Sequence, residues 1–190
     1  NTNQNAINTE EDFRFSDVSF RWLYQLSEKD VLRLNYFSIA NELSFTAEEF
    51  NQNSMETKES TLSQNSLGMG AFYKRNWTEN FSTQLQLFHS NYHLNSTNRI
   101  LNTNTFFEQE NNLAETAFKI SSKWKLNEGF ELNSGYEFSS TTSRDAEADE
   151  EITNEDLIEN RLNVNNVFSS LRYQSASRKT LINLGARINY

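Results

Sequence analysis

The chain has 190 residues and a formal net charge of −9, with 36% hydrophobic and 13% aromatic residues, no cysteine and no proline. Without cysteine a disulfide scaffold, Cys-ligated zinc and thiol catalysis are excluded, and an acidic chain with no basic stripe offers nucleic acid no phosphate-binding surface. No run of about 18 apolar residues exists, so no transmembrane helix is expected, whereas few apolar but many aromatic residues suit strands with one face on lipid and one on water.

The opening NTNQNAINTEED is polar and loop-like and begins at Asn1 with no signal peptide, which reads as a fragment with its start elsewhere. A first strand follows, in which Val18, Phe20, Trp22, Tyr24 and Leu26 alternate with Ser19, Arg21, Leu23 and Gln25. Ser27 to Asp30 make a tight turn, and a second strand returns through Leu32, Leu34 and Tyr36 to about Phe45. Its apolar phase slips near Phe37 to Ile39, which predicts a bulge or an exit from the bilayer. Thr46 to Thr61 read as a long polar loop.

The third strand sets Leu67, Met69, Ala71 and Tyr73 against Ser66, Gly68, Gly70 and Lys74. After a short turn at Arg75 to Asn80, a fourth sets Phe81, Thr83, Leu85 and Leu87 against Ser82, Gln84 and Gln86 and continues towards Tyr92. Asn95 to Asn112 read as the second long loop.

Phe118 to Phe138, FKISSKWKLNEGFELNSGYEF, is the clearest hairpin. Phe118, Ile120, Ser122, Trp124 and Leu126 share one face with Phe130, Leu132, Ser134, Tyr136 and Phe138, and the other face is polar. A three-residue turn closed by Gly129 in a left-handed conformation would set Lys125 opposite Glu131, Lys119 opposite Glu137, Leu126 opposite Phe130, Trp124 opposite Leu132 and Ile120 opposite Tyr136. Ser139 to about Glu159 read as a third long, acidic loop around RDAEADEE. A seventh strand near Leu162 to Tyr173 shows two competing phases. After a turn at Gln174 to Lys179, Ile182, Leu184, Ala186, Ile188 and Tyr190 alternate with Asn183, Gly185, Arg187 and Asn189 in the last.

About eight meandering strands, joined alternately by short turns and long loops, predict an all-β, antiparallel transmembrane barrel segment in the bacterial outer membrane. The alternatives are a non-transporting outer-membrane barrel that anchors or adheres, and a soluble β-sandwich binding module. The aromatic residues support the membrane reading. Trp22, Tyr24, Tyr73, Trp77 and Trp124 lie close to a short turn, whereas Phe118, Tyr136, Phe138 and Tyr190 lie most of a strand away. Two such bands are what lipid–water interfaces select, which makes Trp22, Tyr24, Tyr73, Trp77, Trp124, Tyr136, Phe138 and Tyr190 the candidate interface residues. With the short turns periplasmic, both ends of the chain are expected outside, as in an internal piece of a larger barrel.

The strand NLGARINY, Asn183 to Tyr190, resembles the Gly-x-Arg-x-(Asp/Asn)-Tyr strand that recurs in TonB-dependent outer-membrane receptors. ENNLAETAFKISSKWKLNEGFELNSGYEFS is similar to the Asn-rich, paired strands of the same barrels, and the Asn-rich loops resemble versions from Bacteroidetes-type bacteria. The resemblance implies a barrel of about twenty-two strands, occluded by a plug. Such a barrel imports a scarce nutrient (siderophore, haem, cobalamin or glycan) with energy from the TonB complex. Neither plug nor TonB-contact segment has a match here, so residues 1–190 are expected to supply part of one barrel domain, its wall and outer loops. The expected partners are membrane lipid, the rest of the barrel with its plug, and the TonB complex through the missing region, with no cofactor.

Candidate chemistry is sparse. His89 and His93 share a strand face about 13 Å apart, too far for a common metal, and read as exposed polar positions. Asp145, Glu147 and Asp149, with Glu150 and Glu151, are weak calcium candidates in a loop that lacks the glycine of an EF-hand. Thr153 to Asp156 are a candidate cap for a short helix through Leu157, Ile158 and Leu162. Arg21, Arg33, Gln84, Gln86, Lys119, Lys123, Glu131, Glu137 and Arg187 fall on the lumen side, as cross-strand pairs or as a wet path. No nucleophile–base grouping or phosphate loop is present, so no enzyme is expected.

Overall fold

The computed structural model describes residues 8–51, 54–103, 105–149 and 156–190. These form eight strands and no helix: β1 (Asn8–Gln25), β2 (Asp30–Asn51), β3 (Ser54–Asn76), β4 (Phe81–Ile100), β5 (Thr105–Lys125), β6 (Phe130–Asp149), β7 (Asp156–Gln174) and β8 (Leu181–Asn189). They pair antiparallel, each with the next, in a single eight-stranded sheet. The sheet is open, with β1 and β8 at its two edges.

The hairpin register follows the expectation. Lys125 faces Glu131, Trp124 faces Leu132, Ile120 faces Tyr136 and Lys119 faces Glu137, and the Leu126 amide donates to the Phe130 carbonyl at 2.9 Å. The turn chemistry differs, because no described glycine has positive φ. Instead the Asn127 side-chain oxygen accepts from the amides of Gly129 and Phe130, at 2.9 and 3.0 Å. With those two donors satisfied locally, the loop closes without a left-handed residue. Gly129 is small for another reason: a Cβ there would lie 3.0 Å from the Gln174 carbonyl oxygen.

The same device recurs at the other short turns. Thr78 Oγ1 accepts from the amides of Asn80 and Phe81, Ser27 Oγ from that of Lys29 and Ser175 Oγ from that of Thr180. The first three turns share a sequence pattern, Leu26-Ser27-Glu28, Trp77-Thr78-Glu79 and Leu126-Asn127-Glu128, a bulky apolar residue followed by a capping side chain and glutamate.

At the opposite end the long connections are largely strand. β2 has 22 residues and β3 has 23, so the stretches expected as loops at Thr46–Thr61 and Asn95–Asn112 are mostly ladder. Of the acidic stretch from Ser139, residues to Asp149 belong to β6, and β7 begins at Asp156. Glu150, Glu151 and Thr153 lie outside the described residues, and Ile158 and Leu162 are strand, not helix. A bilayer-crossing strand needs about 9–11 residues, so each long strand has about twice the length that such a crossing would require.

No bulge interrupts β2: its pairings with β1 and β3 run in unbroken register past Phe37 and Ile39. The phase slip is a change of face. In the half nearer the short turns, apolar side chains occupy the face of Trp22, Leu34, Ala71, Leu87, Phe118 and Phe138, residues that the pairing joins in one row. In the far half they occupy the other face, as in the row Phe13, Leu43 and Leu62. Phe37 and Phe168, on that second face, lie over Gly68 and Gly135 of the neighbouring strands, where a Cβ would collide with the rings. Because the sheet is one layer thick, no hydrophobic side chain is buried among the described residues.

Candidate functional site

The near half carries a continuous apolar belt. Val18, Phe20, Trp22 and Tyr24 of β1 stand beside Leu32, Leu34 and Tyr36 of β2, and the belt continues through Met69, Leu85, Ile120, Leu132 and Leu171 to Leu184 and Ile188. It is open to its surroundings: Ile120 is 49% exposed, Leu184 65% and Ile188 67%. Carboxylates, lysine and arginine are absent from it between the turn-end residues Asp30 and Arg75 and the far half.

Aromatic side chains gather at both margins of the belt. At the turn end Trp22 and Tyr24 stack with centroids 5.3 Å apart, and Trp124 meets Phe81 edge-on at 6.2 Å. The Trp77 indole donates to Thr83 Oγ1 at 2.9 Å and lies under the Arg75 guanidinium at 4.5 Å. Phe130 and Tyr173, 4.8 Å apart, complete this margin. Tyr173 was obscured in the sequence by the two phases of β7, although its spacing from the following turn matches that of Trp124. At the other margin Phe118 contacts Tyr136 and Phe138, at 5.5 and 5.9 Å. The Tyr136 hydroxyl donates to Asn165 Oδ1 at 2.6 Å, and the Tyr190 and Asn165 backbones exchange hydrogen bonds.

One charged cluster closes the turn end. Asp30, only 9% exposed, accepts from the hydroxyls of Ser27 and Tyr73, each at 2.6 Å, and from Arg75 at 3.2 Å. The Ser27 hydrogen bond first, then those of Tyr73 and the charge of Arg75, hold its carboxyl below the usual carboxylate range against the opposing effect of burial. This hub was missed in the sequence because Tyr73 and Arg75 come from β3, more than forty residues along the chain.

The inner wall of the near half sets Leu23, Val31, Phe72, Phe88 and Phe168 among polar side chains, and its charges are predominantly basic. Arg21, Arg33, Lys74, Lys119, Lys123, Lys125, Arg172 and Arg187 share the face with two glutamates, Glu131 and Glu137. Lys119 and Arg187 both reach Glu137, at 3.7 and 3.6 Å. Glu131 is paired with Lys123 at 2.9 Å, diagonally, and not with Lys125 directly opposite. Arg33 lies over Phe72 and Lys119 over Phe168, at 4.7 and 5.0 Å. Gln84 and Gln86 line a shallow trough beside Lys119, Lys123 and Glu131.

On the far half's inner face Asp145, Glu147 and Asp149 follow one another at alternate positions of β6. They form a line with steps of about 6.6 Å, not a ring around a point. Among the described residues no three His, Asp or Glu side chains converge on a metal position. His89 and His93 are half-buried, not exposed, and each meets β5: His89 Nδ1 lies 2.9 Å from Thr116 Oγ1 and His93 Nδ1 3.6 Å from Glu110.

No family model matches the chain and no curated protein matches it in sequence. Among solved structures it is similar to BauA, the ferric preacinetobactin receptor of Acinetobacter baumannii, with 8% identity and a TM-score of 0.56. The match covers 95% of this chain and 40% of that receptor, so the chain spans well under half the receptor's length. A second structure is the outer-membrane protease OmpT of Escherichia coli, with 11% identity and a TM-score of 0.34, covering 99% of this chain and 83% of that one. At 8% identity the likeness to the receptor concerns the fold alone, that of an outer-membrane β-barrel wall.

Proposed function

We propose that the chain is part of the wall of an outer-membrane receptor of the TonB-dependent kind, which takes up a scarce nutrient and performs no catalysis. The observation that carries this reading is the exposed apolar belt, free of carboxylates, lysine and arginine, on a sheet with no buried core. In water such a belt is a large unpartnered apolar surface; in a bilayer it is solvated by lipid, with its aromatic margins at the two interfaces. Trp22, Tyr24, Tyr73, Trp77 and Trp124 take the periplasmic margin, and Tyr136, Phe138 and Tyr190 the outer one. A sandwich would need a second sheet, and all eight strands lie in one.

The open edges support a larger barrel. Backbone groups along the free sides of β1 and β8 require partners inside a bilayer, because lipid offers no hydrogen bonds. Further strands of the same barrel supply them, which makes residues 1–190 part of one barrel domain. The fold likeness to a receptor supports uptake over anchoring.

Two measurements test the reading on the full-length protein. Membrane embedding predicts heat-modifiable migration in gels and resistance to alkaline extraction from outer-membrane fractions; a protein that remains soluble without detergent would end the reading. Uptake predicts binding to the isolated periplasmic domain of TonB. An embedded barrel that does not bind it is an anchor or adhesin instead.

A further inference from the structure

We propose that the inner face of the far half is a docking surface for a cationic, amphipathic peptide segment. This rests on the receptor reading above, which places that face at a mouth open to the outside. It names a class of ligand for that mouth.

The apolar part of the surface comes from neighbouring strands. Phe13, Leu43 and Leu62 form one cross-strand row, and Tyr92 and Leu113 sit opposite each other in another. Phe45 and Phe107 extend the patch away from the belt, and Phe13, Leu62 and Leu113 are 64, 42 and 46% exposed. Four strand spacings of about 4.8 Å and six residues of about 3.3 Å give a patch on the order of 400 Å². Lipid does not cover it, because it faces away from the belt. The opposite wall of a wide barrel is out of contact range. A sheet this open encloses no small solute, whereas an extended segment laid across the strands covers it.

Charge complementarity gives the sign of the ligand. On this face Glu11, Asp17, Glu115, Asp145, Glu147 and Asp149 stand against the single cation Lys58 among the described residues. The three β6 acids border the patch: Asn111, Gln109 and Phe107 of β5 are their direct pairing partners. A segment lying across the strands therefore places apolar side chains on β2 to β5 and its cations on β6. Below it the basic inner wall, with Lys119, Lys123 and Arg187, repels the same cations and holds the segment at the mouth.

The test uses the full-length barrel in zwitterionic nanodiscs, with empty discs as background, and three short fluorescent peptides with blocked ends. The first is a block of leucines followed by a block of lysines; the second replaces its lysines by glutamates, and the third replaces its leucines by serines. The expected result is binding of the leucine–lysine peptide, with the other two at least about tenfold weaker. Combining Asp145→Asn, Glu147→Gln and Asp149→Asn should weaken the leucine–lysine peptide by about tenfold, the effect of losing three solvent-screened ion pairs. Leu43→Ser with Leu62→Ser should weaken it similarly, while Glu79→Gln, in the turn between β3 and β4, leaves it unchanged. Should the acid variants fail to fold, salt on the wild type gives the same answer, since binding must fall as screening rises. An inserted, heat-modifiable wild-type barrel that binds all three peptides alike, or none, overturns this inference alone. A protein that never inserts overturns the barrel reading and this inference with it.

Discussion

Within β2, β3 and β5 the half next to the short turns and the half beyond it share an unbroken ladder and carry opposite chemistry. In the near half most apolar side chains point to the belt, and the charges of the inner face are mainly basic. In the far half they point inward among carboxylates, and the outer face carries Arg14, Glu42, Glu110, Arg144 and Glu159, several of them in ion pairs. Backbone alternation at period two is indifferent to which parity is apolar. The solvent on each side decides, and it changes along the strand where lipid gives way to water. One continuous strand can thus serve as membrane wall below and as an inward-facing surface above.

The comparison breaks most visibly with an arginine placed on each face of the near half. Ile120→Arg or Leu132→Arg puts a guanidinium on the belt and should cost about 2–4 kcal/mol if the site lies near the bilayer midplane. Asn133→Arg, on the inner wall beside Lys123, should cost little. Folding titrations in lipid vesicles measure the difference, and equal behaviour would show that the faces are wrongly assigned.

The same exchange in the far half should give a different result. Leu43→Arg and Glu42→Arg, on the inner and outer faces, should leave insertion intact to within about 1 kcal/mol, because water reaches both. A loss of insertion as large as that of Ile120→Arg would place the far half of β2 inside the bilayer and remove the comparison.

The legibility of the chain divides along the same line. The register from Phe118 to Phe138 was readable because a short turn and two aromatic strands leave only one pairing that keeps Trp124, Leu132 and Tyr136 on one face. The far strands were readable only to about Phe45: the change of parity at Ile39, Leu43 and Phe45 is visible and reads as a bulge or an exit, and beyond it the stretch from Thr46 to Thr61 holds too few apolar residues to show a period. The belt aromatics were visible as spacing from turns. The Asp30 hub was not, since Tyr73 and Arg75 reach it only after β2 and β3 have paired. Gly129 was read for its conformational freedom when the space beside Gln174 was what required it.

Smaller effects come from the turns that anchor the near half. Asn127→Ala removes the side chain that satisfies two amides and should destabilise the β5–β6 hairpin by about 1 kcal/mol, as cap deletions do. Asn127→Ser or Asn127→Asp should restore most of it, since Ser27 and Thr78 fill the same role elsewhere. A turn dependent instead on a left-handed glycine would be insensitive to both changes; denaturant titration of the folded barrel distinguishes the cases.

The smallest expected effect is on pH. The Asp30 carboxyl titrates below its ordinary range because Ser27, Tyr73 and Arg75 favour its charged form. A group whose folded pKa is depressed contributes stability that is complete above its unfolded value and lost as pH falls through the depressed one. Acid should therefore loosen the β1–β2 turn only below the pH at which free carboxylates are half protonated. Trp77, under the guanidinium of Arg75, is the reporter: releasing Arg75 from Asp30 should alter its fluorescence in that acid range. Asp30→Asn should abolish the transition while leaving the belt and insertion unchanged, and a transition that survives the substitution would assign it to another carboxylate.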